Sequence, residues 1–213
     1  MQGEMNFVIE GGKALSGSVE TSRSKNGAVA LLAASLLNKG TTTLHRMPKI
    51  EEVNRLIEVL RSLGVAVEWH GTSVRIKPPV HIDMGGIDAV AATKTRSILM
   101  FIGPLAHVLK KFELPQSGGC TLGLRSIRQH LWVLEKFGLT IETLSDRYRI
   151  HNTGLRPAAA ILYEASDTAT ENGLFMAAKI QGTSILKYAS ANYQVQEVCG
   201  FLQELGVSVS GIG

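Results

Sequence analysis

The sequence predicts an α/β fold of three related units, and three observations carry that expectation. The segments EVLRSLGVAVEW, WVLEKFGLTIET and GFLQELGVSVSG end alike. Each runs from the tail of an amphipathic helix through a glycine (Gly64, Gly138, Gly206) into an alternating stretch. Glycine supplies the left-handed residue that closes a helix, and alternation is the period of a half-buried strand. The stretches NKGTTTLHRMPKIEEVNRL and IQGTSILKYASANYQVQEV then place a second glycine, Gly40 and Gly182, at the same distance before the closing one. Finally, one helix in each unit is apolar nearly all round, as in SILMFIGPLAHVL, which marks a buried helix rather than a surface one.

Taken in order, each unit reads helix, strand, loop, helix, strand. The first helices are expected at 27–38, 94–110 and 167–180, and the second helices at 50–63, 126–137 and 195–205. The second helix of unit one carries Glu51, Glu52, Arg55, Glu58 and Arg61 and is expected to turn that face to water. Further strands at 72–77 and 147–151 complete hairpins in the first two units. The units divide at about 20–80, 81–153 and 154–213. They are too long for a solenoid of short repeats and are expected to share one core.

Composition narrows the function. Hydrophobic residues make up 45% of the 213, enough for a packed core and too many for a disordered chain. The net charge of +4 points to an anionic partner. Aromatics are only 6%, and no Lys/Arg run exceeds two residues, which argues against nucleic acid. The longest nearly apolar run falls far short of the ~20 residues a membrane helix needs, and the amino terminus has no signal-peptide core. A cytoplasmic protein that engages no membrane is expected. Cys120 and Cys199 have no metal-ligand spacing, and none of the six histidines pairs on a helix, so no metal site is expected. Neither a P-loop nor a dinucleotide glycine fingerprint occurs, so no cofactor is expected.

Cations stand where helices begin. A helix amino terminus favours acids and disfavours bases, yet Lys25 opens the first helix, with Asn26 beside it, while the matching start of unit three, SDTATENG, is acidic. Local rules broken in this way concentrate at functional sites. Lys94 and Arg96 open the buried helix of unit two, and Lys49 precedes the second helix of unit one. The glycine-rich stretch LPQSGGCTLGLRSIRQH replaces a short turn, and long loops within compact domains are commonly functional. Cys120 sits at its tip with Arg125 and Arg128 nearby, the setting that lowers a thiol pKa. Cys199 lies at helical spacing among apolar residues and is expected in the core.

The stretches SKNGAVALLAASLLNKG, MPKIEEV, KTRSILMFIGPL, GGCTLGLR and ATENGLFMAA together resemble the enolpyruvyl transferases, over essentially the whole chain. The Gly-Gly-Cys-Thr-x-Gly-x-Arg loop is similar to that of the peptidoglycan branch and is lacking in the shikimate-pathway branch. The resemblance implies one lobe of that fold, three βαβαββ units around buried helices in an inside-out α/β barrel. Residues 1–19 would be strand material that pairs with a second lobe absent from this chain. It also implies transfer of the enolpyruvyl group from phosphoenolpyruvate to a hydroxyl of UDP-N-acetylglucosamine or a related sugar nucleotide, without a cofactor. Cys120 and Lys25 would be catalytic. Arg96 and Arg125 would clamp phosphoenolpyruvate with support from Lys49, and Asn26 and Ser166 would contact substrate. Cys120 would be the target of fosfomycin.

Three departures from the family pattern stand out. Arg125-Ser126-Ile127-Arg128-Gln129-His130 replaces Arg-Pro-Val-Asp-Leu-His. Glu164-Ala165-Ser166-Asp167-Thr168-Ala169-Thr170 replaces Lys-x-Ser-Val-Gly-Ala-Thr. Asn192-Tyr193 replaces Glu-Pro. Two alternatives therefore stay open: a related enzyme with a different acceptor, and a non-catalytic lobe that binds another anion or serves as a scaffold. The ending SVSGIG reads as a connection toward the second lobe, and with that half of the implied active site missing the chain alone is expected to turn over little. Its apolar inter-lobe face would favour self-association.

Overall fold

The computed structural model describes residues 8–116 and 126–213. Cys120 and Arg125 lie outside the described residues. In unit one, α1 (Lys25–Ala34) continues into a 3-10 turn (Ser35–Leu37), followed by β1 (Thr42–Leu44), α2 (Glu51–Ser62), β2 (Ala66–His70) and β3 (Ser73–Lys77). In unit two, α3 (Ala89–Thr93) leads to a 3-10 segment (Arg96–Phe101), α4 (Ile102–Ala106), β4 (Lys111–Pro115), α5 (Arg128–Lys136), β5 (Leu139–Thr143) and β6 (Arg147–Asn152). Unit three comprises β7 (Ala159–Ile161), α6 (Asp167–Ala177), β8 (Ile185–Lys187) and α7 (Tyr193–Glu204).

The repeat is visible in the sheets. The strand orders are β1-β3-β2 and β4-β6-β5, and each central strand runs antiparallel to both neighbours. The two flanking strands are therefore parallel to each other, joined by a helical crossover, and the last strand of the unit inserts between them. Alternation sets the register: Phe112, Ile150 and Ile141 stand abreast in the second sheet, as do Ile76 and Val67 in the first. In unit three β7 and β8 pair directly and in parallel, Ala160 opposite Leu186.

Three expectations need correction. The helix expected at 94–110 is broken. Thr95 is extended (φ −135°, ψ 130°), and its hydroxyl accepts from the Ser97 N–H, so a tight 3-10 run starts there before α4 takes over. Pro104 falls in the first turn of α4, where its missing N–H is not needed. Residues 207–213 alternate Val207-Ser208-Val209-Ser210 but form no strand, because a pleated segment becomes a ladder only when a neighbour offers hydrogen bonds. Residues 8–24 and 78–88 also hold no strand, so unit one runs αβαββ, unit two ααβαββ and unit three βαβα.

The core lies between the helices. Apolar residues of α1, of the 96–106 segment and of α6 are buried nearly all round, while α2 buries only Val53, Leu56, Ile57, Val59 and Leu60. Phe101, Phe137 and Phe175 are fully buried. The α4–α6 approach depends on Gly103, where a Cβ would lie 2.9 Å from the Cβ of Phe175. Cys199 is buried in α7 among apolar neighbours, and burial pushes its thiol pKa up.

Candidate active site

Helix starts from all three units meet at one cleft of about 1550 Å³. Lys25 and Asn26 enter it from α1, Glu51 and Glu52 from α2, Arg96 from the 3-10 segment, Arg128 from α5, and Ser166 and Asp167 from α6.

The cation at the start of α1 has a partner. Lys25 Nζ lies 2.5 Å from Glu52 Oε2. Glu52 sits in the first turn of α2, where an acid is favoured, and so offsets the cost of Lys25 at its own helix start. Glu52 also accepts from the Thr95 hydroxyl at 2.8 Å and from the Ser97 hydroxyl. Burial works against the Glu52 charge, but the hydrogen bonds from Lys25, Ser97 and Thr95 outweigh it and hold the carboxyl below its usual range. An ammonium has three N–H donors, so Glu52 orients Lys25 without exhausting it. Glu52 was missed in the sequence because it reads as one of a row of helix-surface charges.

Arg96 donates to the Ser126 carbonyl at 2.6 Å, which ties unit two's helix start to the residue that follows the glycine-rich loop. Ser166 caps α6, its hydroxyl accepting from Ala169 N–H at 3.4 Å. Lys49 is not brought to this place. It is absent from the cleft wall, and its Nζ stands 5.4 Å from the Trp69 ring centroid, a cation–π contact. Arg55 and Lys94 do line the cleft.

His130 and Thr168 of the cleft wall join buried Asn172 in a polar network. His130 Nδ1 accepts from the Asn172 side-chain amide at 3.0 Å, and the same amide donates to Leu99 O at 3.2 Å. Nε2 therefore carries the proton and donates to the Thr168 hydroxyl at 3.1 Å. Burial, and then the positive charge of Arg96, lower the His130 pKa to about 4. A proton NMR titration is expected to show a neutral His130 ring down to that pH; a midpoint near 6.5 would contradict this network.

Two departures from the family pattern satisfy each other. Asp167 accepts from the Asn192 amide at 3.2 Å, from the Gln194 amide at 2.5 Å and from the Ser190 hydroxyl. An acid at 192 would instead place two carboxylates together. Tyr193 shares a 3.1 Å hydrogen bond with the Ser24 hydroxyl, joining α7 to the start of α1.

The repeated α/β lobe thus gathers Lys25, Asn26 and Arg96 at one cleft. The chain belongs to the EPSP synthase (3-phosphoshikimate 1-carboxyvinyltransferase) family, which it matches over residues 9–213. It is 34% identical over 209 residues to the UDP-N-acetylglucosamine 1-carboxyvinyltransferase of Bradyrhizobium diazoefficiens, covering 98% of this chain and 48% of that protein. With the protein of the same name from Chloroherpeton thalassium the identity is 35% over 213 residues, covering 97% and 49%. The chain thus spans about half the length of the curated relatives it matches. Its fold is that of half an enolpyruvyl transferase. The enolpyruvyl transferase NikO from Streptomyces tendae superposes with a TM-score of 0.79 at 21% identity, over 95% of this chain and 48% of that one. EPSP synthase from Acinetobacter baumannii gives 0.69 at 19% identity, over 95% and 47%. No helix among the described residues is long and apolar enough to cross a membrane.

Proposed function

We propose that this chain is the donor-binding half of a cytoplasmic enolpyruvyl transferase that moves the enolpyruvyl group of phosphoenolpyruvate onto a hydroxyl of UDP-N-acetylglucosamine or a related sugar nucleotide, in peptidoglycan synthesis. The observation that carries this reading is the convergence of Lys25, Asn26, Arg96 and Ser166 from three separate units on one cleft. The chemistry adds the acceptor hydroxyl across the enol double bond and then eliminates phosphate. It needs cations on the donor's carboxylate and phosphate, a proton delivered to the methylene carbon, and a base for the hydroxyl proton. Lys25 and Arg96, with Arg125, serve the first need, and Cys120 is the acid carried by the loop that ends at Ser126. Lys49 lies over Trp69, outside the cleft wall. Turnover requires the facing lobe that the resemblance implies, so the chain alone binds the donor without completing the reaction.

Calorimetric titration with phosphoenolpyruvate is expected to show saturable binding, weakened about tenfold or more in Lys25→Ala, the scale of a hydrogen bond to a charged group. Mass spectrometry is expected to show Cys120 alkylated by fosfomycin. Absence of both binding and alkylation overturns the assignment.

A second reading rests on two wall residues. Arg128 stands where the family pattern has aspartate, and Glu164 where it has lysine, and both line the cleft. This reversal of charge favours an acceptor other than the usual one. Assay of the complete gene product with several nucleotide sugars separates the two: activity confined to a non-uridine acceptor selects the second.

A further inference from the structure

We infer that Glu52 is a positioning residue for the donor's anionic groups: its carboxylate couples Lys25 to the turn that carries Arg96, so that removing its negative charge weakens anion binding instead of strengthening it. This deepens the enolpyruvyl-transfer reading and rests on it. The two carboxylate oxygens face different units. Oε2 meets Lys25 Nζ at the start of α1. Oε1 accepts from the hydroxyls of Thr95 and Ser97, the residues on either side of Arg96. One side chain of α2 thus ties the start of α1 to the start of the 3-10 segment in unit two.

The direction of each bond is set. A hydroxyl has a single proton to give. The Thr95 hydroxyl accepts from the Ser97 N–H at 3.1 Å and donates to Glu52 at 2.8 Å. Thr95 is buried, and the Glu52 side chain is 22% exposed, so water competes little for these bonds. Burial opposes the Glu52 charge, but the hydrogen bonds from Lys25, Ser97 and Thr95 prevail and keep the carboxyl ionised, an acceptor only. The Arg96 guanidinium is held in turn by the Ser126 carbonyl at 2.6 Å. A binding constellation keeps its geometry when supporting hydrogen bonds lock the side chains and backbone that carry it.

Charge and position predict opposite outcomes here. A carboxylate in the wall of an anion site repels the ligand, so if charge alone governed the cleft, Glu52→Gln would tighten binding. A glutamine that turns its oxygen to the two hydroxyls turns its NH₂ to the Lys25 ammonium, donor against donor, and the coupling is lost.

Phosphoenolpyruvate binding to the parent chain and its variants, measured by calorimetry with circular dichroism as the check on folding, tests this. Glu52→Gln is expected to weaken binding about tenfold, the scale of a hydrogen bond to a charged group. Ser97→Ala, which removes one tie and leaves the carboxylate and both cations, should weaken it about threefold. In the Lys25→Ala background Glu52→Gln should cost less than about threefold further, because most of its action passes through the ammonium. Tighter or unchanged binding in Glu52→Gln overturns the coupling and leaves the proposed reaction standing. So does an equal loss in both backgrounds, which marks a general loosening of the cleft. Should Glu52→Gln fail to fold, Ser97→Ala decides, and unchanged affinity there overturns the coupling. A parent chain that does not bind phosphoenolpyruvate overturns both.

Discussion

Replacing Glu171 with glutamine is expected to stabilise the protein at pH 9 by on the order of 3–5 kcal/mol and to change it little at pH 4.5. Glu171 is buried in α6, and one of its oxygens, Oε1, has no hydrogen-bond partner. Burial, and then the negative charge of Asp167 one turn earlier, raise its pKa from 4.5 to about 8. Between those values the unfolded chain has released a proton that the folded chain keeps, so stability falls as pH rises. His130 acts in the opposite direction. Its folded pKa of about 4 lies below the ordinary 6.5, so across that window acid favours the unfolded chain and stability rises with pH. The two slopes oppose each other between pH 4.5 and 6.5. The parent chain should therefore be most stable there, losing stability above from Glu171 and below from His130. In Glu171→Gln the upper loss should vanish. Urea unfolding followed by circular dichroism at pH 4.5, 6.5 and 9 measures this; an unchanged profile would show that Glu171 is not held protonated.

The second large effect separates two glycines that the repeat makes equivalent. Gly138 and Gly206 both close a helix with positive φ, +98° and +85°. Alanine pays ~1–2 kcal/mol for that left-handed conformation at either position. At Gly206 nothing lies within 4 Å of an added Cβ, whereas at Gly138 the Cβ would fall 2.2 Å from Gly154 O, a backbone atom held by the turn after β6. Gly138→Ala is therefore expected to cost about 3 kcal/mol or more, since overpacking adds to the conformational term, and Gly206→Ala about 1 kcal/mol. Equal losses in denaturant unfolding would mean that the Gly154 turn moves aside freely.

The site was legible in part. Lys25, Asn26, Arg96 and Ser166 reach one cleft; Lys25 and Arg96 stood out because a cation at a helix start is a local anomaly, whereas Ser166 came only from the resemblance. Lys49 carries the same local signature, yet its ammonium is drawn to the Trp69 face on a strand of its own unit. Glu52, the residue that orients Lys25, looked like ordinary surface charge. Only the packing of α1 against α2 and against the 95–97 turn makes it a hub.

From the sequence alone came the threefold repeat, the buried helices and the glycines that end them, since periodicity, capping and positive φ depend on residues within a few positions of each other. The tertiary structure decided where the unit-two helix breaks, that residues 207–213 find no strand partner, and which charges share a cleft. Those outcomes rest on hydrogen bonds and Coulomb interactions that fade within a few ångströms, and residues distant in sequence come that close only when the helices pack.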